Sequence, residues 1–127
     1  MGGGQGQSLK NGAATLSREH SLNGLFASQV KGNLPTIVVA YILEGPRTGR
    51  ELMDDIFKDT GVRLSPGRVY PLLRSLEKRS LLVSQEGARQ VVYRAFNRGQ
   101  AEEMLRRELE ACAKMHDLCK RLARIRG

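Results

Sequence analysis

Hydrophobic residues recur along the chain at spacings that predict a largely helical protein. Near the N-terminus, one apolar set at helical spacing predicts a short helix over about 17–31; its members are Leu22, Leu25, Phe26 and Val30. Residues 1–14 contain five glycines and few apolar residues. We therefore expect a flexible N-terminal tail before that helix.

The next apolar run, residues 34–43, fits two different elements. Its β-branched residues favour a strand, whereas Asn33 as an N-cap and Pro35 in the first turn favour a buried helix. We expect the helix, with its end set by Gly45 and Pro46.

Thr48 and Glu51 form a capping-box pattern that predicts the start of a second helix, counted from the one over residues 34–43. Gly61 suits the left-handed residue that follows a helix end near Thr60. The apolar residues between them share one helix face; they are Leu52, Met53, Ile56 and Phe57.

Ser65 and Pro66 predict a third helix, with Ser65 as N-cap and Pro66 at its first position. Its core face is apolar at i, i+3, i+4 and i+7, through Val69, Leu72, Leu73 and Leu76. Pro71 conflicts with this helix, because an interior proline costs about 3 kcal/mol. Either the regular helix starts nearer Arg68, or its first turn is distorted.

Two β-rich segments, residues 81–85 and 90–96, predict a hairpin whose loop is residues 86–89. Asn97 and Gln100 then form a plausible capping box for a last helix of about 26 residues and roughly 39 Å. Its apolar stripe needs a partner, and a second copy of the chain is the simplest one. The residues predicted to form this dimer contact are Met104, Leu105, Leu109, Cys112, Met115, Leu118, Cys119 and Leu122.

From residue 34 onward, the order is helix, helix, helix, hairpin and long helix. This order defines a mainly α fold with a small β-hairpin. It is a winged helix-turn-helix with a long C-terminal dimerisation helix. We divide the chain into an N-terminal extension over 1–32, a winged-helix DNA-binding domain over 33–97 and the dimerisation helix over 98–127.

The net charge of +8 is concentrated rather than spread evenly. Residues 61–98 carry eight basic and two acidic side chains, whereas residues 33–60 are net acidic. Such a basic stretch favours contact with phosphate groups. A membrane surface is the other class of partner for a basic protein, but the last helix has no interfacial aromatic residues.

Several classes are excluded by composition. The longest apolar run, residues 37–43, is far shorter than the roughly 20 residues of a membrane span. No secretory signal is visible, and two cysteines do not make a disulfide scaffold, so we expect a cytoplasmic protein. Two histidines, no phosphate-binding glycine loop and no plausible triad argue against an enzyme, and we expect no cofactor.

Cys112, His116 and Cys119 share one face of the last helix at i, i+4 and i+7. The thiols and imidazole are suitable ligands for zinc, and across two paired helices either a metal site or an intersubunit disulfide is possible. We favour the simpler interpretation that they pack in a dimer contact without a metal.

Three segments together resemble the PadR-like winged-helix transcriptional regulators, over about residues 34–97. They are Leu43–Leu52, Ser65–Glu77 and a hairpin that ends in Val92–Arg94. The single C-terminal helix resembles the short branch of this family, in which that helix builds the dimer. The resemblance implies a recognition helix in the major groove, a wing on the backbone or minor groove, and repression from a palindromic operator.

The sequence departs from the family pattern in three places. Phe96 stands where a threonine is usual, so Asn97 takes over the cap. The N-terminal extension is longer than usual. Family members that sense flat drugs often stack them on a tryptophan, and this chain has none, so no small-molecule effector is assigned.

The predicted DNA-binding residues lie in the third helix and the wing. Arg68, Tyr70 and Arg74 are the base or phosphate contacts, and Arg89 is placed at the wing tip, where it can reach a narrow minor groove. The full set is Ser65, Pro66, Gly67, Arg68, Tyr70, Pro71, Arg74, Lys78, Gln85, Gly87, Arg89 and Gln90.

We therefore predict a homodimeric, sequence-specific regulator of double-stranded DNA that acts as a repressor on an inverted repeat. Two alternatives stay open. One is a chromatin-like protein that binds DNA with low specificity. The other is a winged helix that binds protein or RNA, because a fold alone does not prove DNA binding.

Overall fold

The computed structural model describes residues 23–124. Two units are distinguished, one ending at Leu34 and the other starting at Pro35. In the first unit, helix α1 includes residues 23–32. This agrees with the predicted helix over 17–31 where the two overlap; residues 17–22, like the predicted tail, lie outside the described residues.

Asn33 ends α1 and does not act as the expected N-cap of the next helix. Its side-chain amide donates to the carbonyl of Gln29 at 2.7 Å, and its backbone N–H donates to the same carbonyl at 3.0 Å. The carbonyls in the last turn of a helix lack a helical N–H donor, and here the Asn33 amide donates to one of them.

Helix α2 is Leu34–Glu44, so the strand alternative for this run is wrong. Val38, Val39 and Ile42 are buried at helical spacing, as a helix with one face in the core requires. The helix ends before Gly45 and Pro46, as predicted.

Helix α3 is Gly49–Thr60 and begins with the predicted capping box. Thr48 Oγ1 accepts from the N–H of Glu51 at 3.0 Å, and Glu51 Oε1 accepts from the N–H of Thr48 at 2.8 Å. Gly61 closes the helix with φ of 75°, which a residue with a side chain rarely adopts. The predicted apolar face divides: Leu52 and Ile56 are fully buried, but Phe57 remains 41% exposed.

Helix α4 is Pro66–Lys78 and includes Pro71 without a break, so the alternative start near Arg68 is wrong. Ser65 has extended backbone at the cap position, but its side chain makes no capping bond. Pro71 leaves the carbonyl of Gly67 without its helical donor. Because Gly67 and Pro71 are both exposed, water can bind that carbonyl.

The hairpin consists of β2, Leu82–Glu86, and β3, Val91–Ala95. Glu86 pairs with Val91, so the loop is residues 87–90, one residue later than predicted. A third strand, β1, Arg47–Thr48, was not predicted; it pairs antiparallel with β3 and gives the sheet order β1-β3-β2. Two residues are too few for the alternation that identifies a strand from sequence.

Arg47 joins α2, β1 and α3. Its Nε lies 2.7 Å from Asp55 Oδ2, and its Nη1 donates to the carbonyls of Gly45 and Tyr41. The hydroxyl of Tyr41 donates to Asp59 at 2.5 Å. Burial and this hydrogen bond raise the pKa of Tyr41 to about 12. These contacts hold α3 against the end of α2.

Helix α5 is Arg98–Ala123, with the expected length of 26 residues. Asn97 Oδ1 accepts from the N–H of Gln100 at 3.0 Å, which is the forward bond of the predicted capping box. Arg98 Nη1 donates to the carbonyl of Leu43 at 2.8 Å and joins α5 to the end of α2. Among residues 23–124, no helix is long and apolar enough to cross a membrane.

Beyond its first turns, α5 is exposed to solvent. Ala101 is its one buried residue within the described range, and residues 106–119 are all exposed. The exposed apolar side chains include Leu109 at 59%, Met115 at 61% and Leu122 at 74%. Most of the stability of a helix in a protein comes from packing of its apolar face. The exposed part of α5 lacks that packing in the single chain.

Candidate nucleic-acid interface

Helix α4 presents a line of exposed residues opposite the core. Val69, Leu73 and Leu76 are fully buried on one side. At 100° per residue, the opposite side carries Gly67, Pro71, Arg74 and Lys78 at i, i+4, i+7 and i+11. Arg68 is exposed on one flank of this line, and Tyr70 is half-buried on the other.

The ring of Tyr70 lies directly against the start of α3. A Cβ atom built on Gly49 would lie 2.5 Å from Tyr70 Cε1 and 2.7 Å from its hydroxyl oxygen. Only a glycine leaves room for the ring at this distance. The predicted DNA contact Tyr70 therefore also sets the spacing between α3 and α4, a role that the sequence pattern did not indicate.

We expect Gly49→Ala to destabilise the protein by about 1–3 kcal/mol, because the added methyl group overlaps the Tyr70 ring. Thermal unfolding measures the change. Gly67→Ala is the matched control, since the nearest atom to its Cβ is Ser65 Oγ at 3.9 Å. Adding Tyr70→Ala to Gly49→Ala should recover part of the stability, and a Gly49→Ala protein as stable as the parent would contradict the close contact.

The hairpin places the predicted wing residues at its free end. The N–H of Gly87 donates to the carbonyl of Gln90 at 2.7 Å, which leaves Ala88 and Arg89 as the tip. All four predicted wing residues, Gln85, Gly87, Arg89 and Gln90, are exposed. Arg89 is thus the outermost cation of the hairpin.

A polar contact connects α4 to the sheet behind it. Ser84 Oγ donates to Glu77 Oε2 at 2.5 Å, which holds the end of α4 against β2. Tyr93 of β3 is buried, and burial followed by the charge of Glu77 raises the pKa of its hydroxyl. Sequence reasoning did not find this contact, because the two partners belong to different predicted elements.

The basic side chains of α4 and the hairpin form no ion pair with a carboxylate of residues 23–124. Within residues 23–124, the arginines that form ion pairs are Arg47, Arg98, Arg106 and Arg107. None belongs to α4 or to the hairpin strands. The exposed cations without a carboxylate partner in the described chain include Arg68, Arg74, Lys78, Arg79, Arg89 and Arg94. Their field is available to an external polyanion.

Two further arginines were missed by sequence reasoning. Arg50 of α3 and Arg63 of the turn between α3 and α4 are exposed and border a groove beside Tyr70. Neither lies in α4 or in the predicted wing. The local excess of charge over residues 61–98 was a signal for Arg63, but no pattern indicated Arg50.

One chain does not form the metal site considered from Cys112, His116 and Cys119. Among residues 23–124, no three histidine, cysteine or acidic side chains lie close enough together to hold a metal ion. Both cysteines are free and exposed on α5.

Known proteins share this architecture. The sequence profile of the Transcriptional regulator PadR-like family matches residues 38–104, more than half of the chain. No protein in a comparison with curated sequences matches.

Two solved structures illustrate the shared fold. One is a transcriptional regulator from Clostridium thermocellum, with a TM-score of 0.64, 19% identity and coverage of 74% of this chain and 93% of the other. Another is a PadR family transcriptional regulator from Eggerthella lenta, with a TM-score of 0.61, 24% identity and coverage of 87% and 96%.

Proposed function

Because the chain belongs to the PadR-like family of transcriptional regulators, we propose that it is a sequence-specific repressor that binds an inverted-repeat operator as a homodimer. Membership of the family makes it a DNA-binding transcription regulator with a winged helix-turn-helix. Beyond family membership, we propose that the operator is an inverted repeat, that the protein is a homodimer and that it represses transcription. Repression is the role implied by the resemblance of the recognition segment to the family.

The observation that supports DNA binding most directly is the basic face of α4 and the hairpin, whose cations form no ion pair within the described part of the chain. A helix of this kind fits the major groove, with residues near its N-terminus at the base edges. We assign Arg68 and Arg74 to guanine or phosphate and Lys78 to phosphate. Ser65, Pro66 and Gly67 lie at the N-terminal end of α4, and Pro71 follows one turn later. We propose that these small or side-chain-restricted residues allow close approach of the backbone.

The apolar stripe of α5 supports the homodimer. Cys112, Met115 and Leu122 are exposed members of it. Leu109, Leu118 and Cys119 are also exposed, whereas Met104 and Leu105 are half-buried at its start. Charge along the helix favours antiparallel pairing. Residues 98–110 carry four acidic and three basic side chains, whereas residues 111–126 carry one acidic and five basic. An antiparallel pair about a two-fold axis places the basic half of each helix against the acidic half of the other.

A gel-shift titration tests specific binding. The DNA upstream of the protein's own gene is compared with a mixed-sequence duplex of equal length over a range of salt concentrations. We expect tighter binding to the upstream DNA at every salt concentration. Equal affinity for both duplexes would support the low-specificity alternative instead. A reporter joined to the upstream DNA should gain expression when the gene is deleted.

Arg89→Ala should weaken binding to all DNA sequences alike and reduce the salt slope by about 1 for each phosphate charge that the side chain neutralises. Arg89 is at the hairpin tip, where a cation reaches the backbone or minor groove without reading bases. Fluorescence anisotropy over a salt series measures the slope. Lys114→Ala is the control, since it removes an equal charge from the exposed surface of α5. A slope unchanged in Arg89→Ala would exclude this residue from the interface.

A further inference from the structure

A groove of about 400 Å³ lies between α3 and α4 and is lined in part by Tyr70. Its floor is apolar and includes Met53, Phe57 and Leu64, and its rim carries Arg50 and Arg63. Phe57 is 41% exposed, at a position where polar residues are more usual. This exposed aromatic ring lines the same groove as the two arginines.

Phe57 has a specific contact with Arg63. The Cζ atom of Arg63 lies 4.1 Å from the centroid of the Phe57 ring. A guanidinium stacked on a ring keeps its N–H groups free at the edges of its plane. The stack limits the rotamers of Arg63 before any ligand binds, so less conformational entropy is lost when a phosphate binds.

The groove is continuous with the proposed DNA-binding face. Pro66 and Tyr70 of α4 line it, and Pro66 is the first residue of that helix. Arg50 and Arg63 form no ion pair with any carboxylate of residues 23–124. Among residues 23–124, Asp54 is the one acidic residue on the lining, against two arginines, so the charge of this lining is net positive. A polyanion bound along the start of α4 therefore lies within reach of Arg50 and Arg63.

We propose that the Phe57–Arg63 stack, together with Arg50, is a preformed clamp for a DNA backbone phosphate beside the segment bound by α4. The clamp extends the interface to the turn between α3 and α4. It adds affinity for DNA of any sequence, because a phosphate carries no base identity. This inference rests on the proposed DNA binding, and it names residues that the recognition helix and wing do not include.

Arg63→Ala tests the clamp on a mixed-sequence duplex. We expect affinity to fall about tenfold, as for the removal of one charge-assisted hydrogen bond, and the salt slope to fall by about 0.9 per protomer bound. Lys58→Ala is the matched control: it removes one positive charge from the same helix as Phe57, and Lys58 does not line the groove. Lys58→Ala should leave the slope unchanged.

Phe57 and Asp54 variants separate the stack from general charge. Phe57→Leu should reproduce part of the affinity decrease of Arg63→Ala, whereas Phe57→Tyr should retain affinity because it keeps the ring. A purely structural role for Phe57 would alter thermal stability without this difference in salt slope. Asp54→Asn should raise affinity, because it removes the one carboxylate of the groove.

The outcomes distinguish this proposal from the proposed function. If Arg63→Ala and Lys58→Ala have the same salt slope while α4 variants do not bind, the clamp is wrong and DNA binding by α4 stands. If no variant of either region alters binding, both are wrong. The clamp is supported if Arg63→Ala lowers the salt slope and if affinity is retained in Phe57→Tyr but reduced in Phe57→Leu.

Discussion

Arg68→Ala combined with Arg74→Ala should lower affinity for the upstream DNA roughly a thousandfold or more. Each bidentate contact contributes about 1–3 kcal/mol of discrimination, and a two-fold dimer presents each arginine twice. Both side chains are exposed, so the free energy of unfolding should change little. Fluorescence anisotropy on the upstream and mixed-sequence duplexes measures the two affinities, and thermal unfolding checks the fold.

A lysine pair is the matched control for charge. Arg68→Lys with Arg74→Lys keeps both positive charges but removes the planar fork that binds O6 and N7 of guanine. We expect this variant to retain affinity for the mixed-sequence duplex and to lose preference for the upstream DNA. Retained preference would mean that these arginines hold phosphates rather than bases. Unchanged binding in the alanine pair would remove α4 from the interface altogether.

Met115→Glu combined with Leu122→Glu should convert the protein to a monomer. These side chains are 61% and 74% exposed in the single chain and lie on one side of α5. Burying one such side chain contributes about 1.5–3 kcal/mol, and a two-fold interface buries each residue twice. The substitutions also place four carboxylates in the interface, which costs more. We expect the dissociation constant of the dimer to rise by well over a thousandfold.

Sedimentation velocity over a concentration series measures the change in mass. Lys31→Gln with Lys58→Gln is the matched control, because it lowers the net charge by the same two units at exposed positions outside α5. That variant should remain a dimer. The monomeric variant should also lose cooperative binding to an inverted repeat, because one chain reaches only one half-site. A dimer that persists in Met115→Glu/Leu122→Glu would place the dimer interface elsewhere.

The local elements were predictable because their causes lie within a few residues. The capping box at Thr48, the left-handed Gly61 and the cap at Asn97 each act on backbone groups in the adjacent turn. The apolar period of α4 and α5 likewise determines which side of each helix is nonpolar. Asn33 is the exception, because its amide binds the preceding helix end rather than the following one.

Contacts between different secondary-structure elements were not predictable from local pattern. Strand β1 exists because β3 supplies its hydrogen-bond partners, from residues about 45 positions later in the chain. Ser84 binds Glu77 only after β2 packs beside α4. The stack of Arg63 on Phe57 depends on the angle between α3 and the turn that follows it.

Local pattern was enough to predict the helices, the hairpin, the concentration of positive charge and the apolar stripe of the last helix. These follow from short-range hydrogen bonding and from the periods of helix and strand. By contrast, only the packed chain shows that Gly49 accommodates the Tyr70 ring and that Arg50 and Arg63 border one groove beside it. The reason is physical: close packing joins residues that no local period relates, so their contacts exist only once the core has formed.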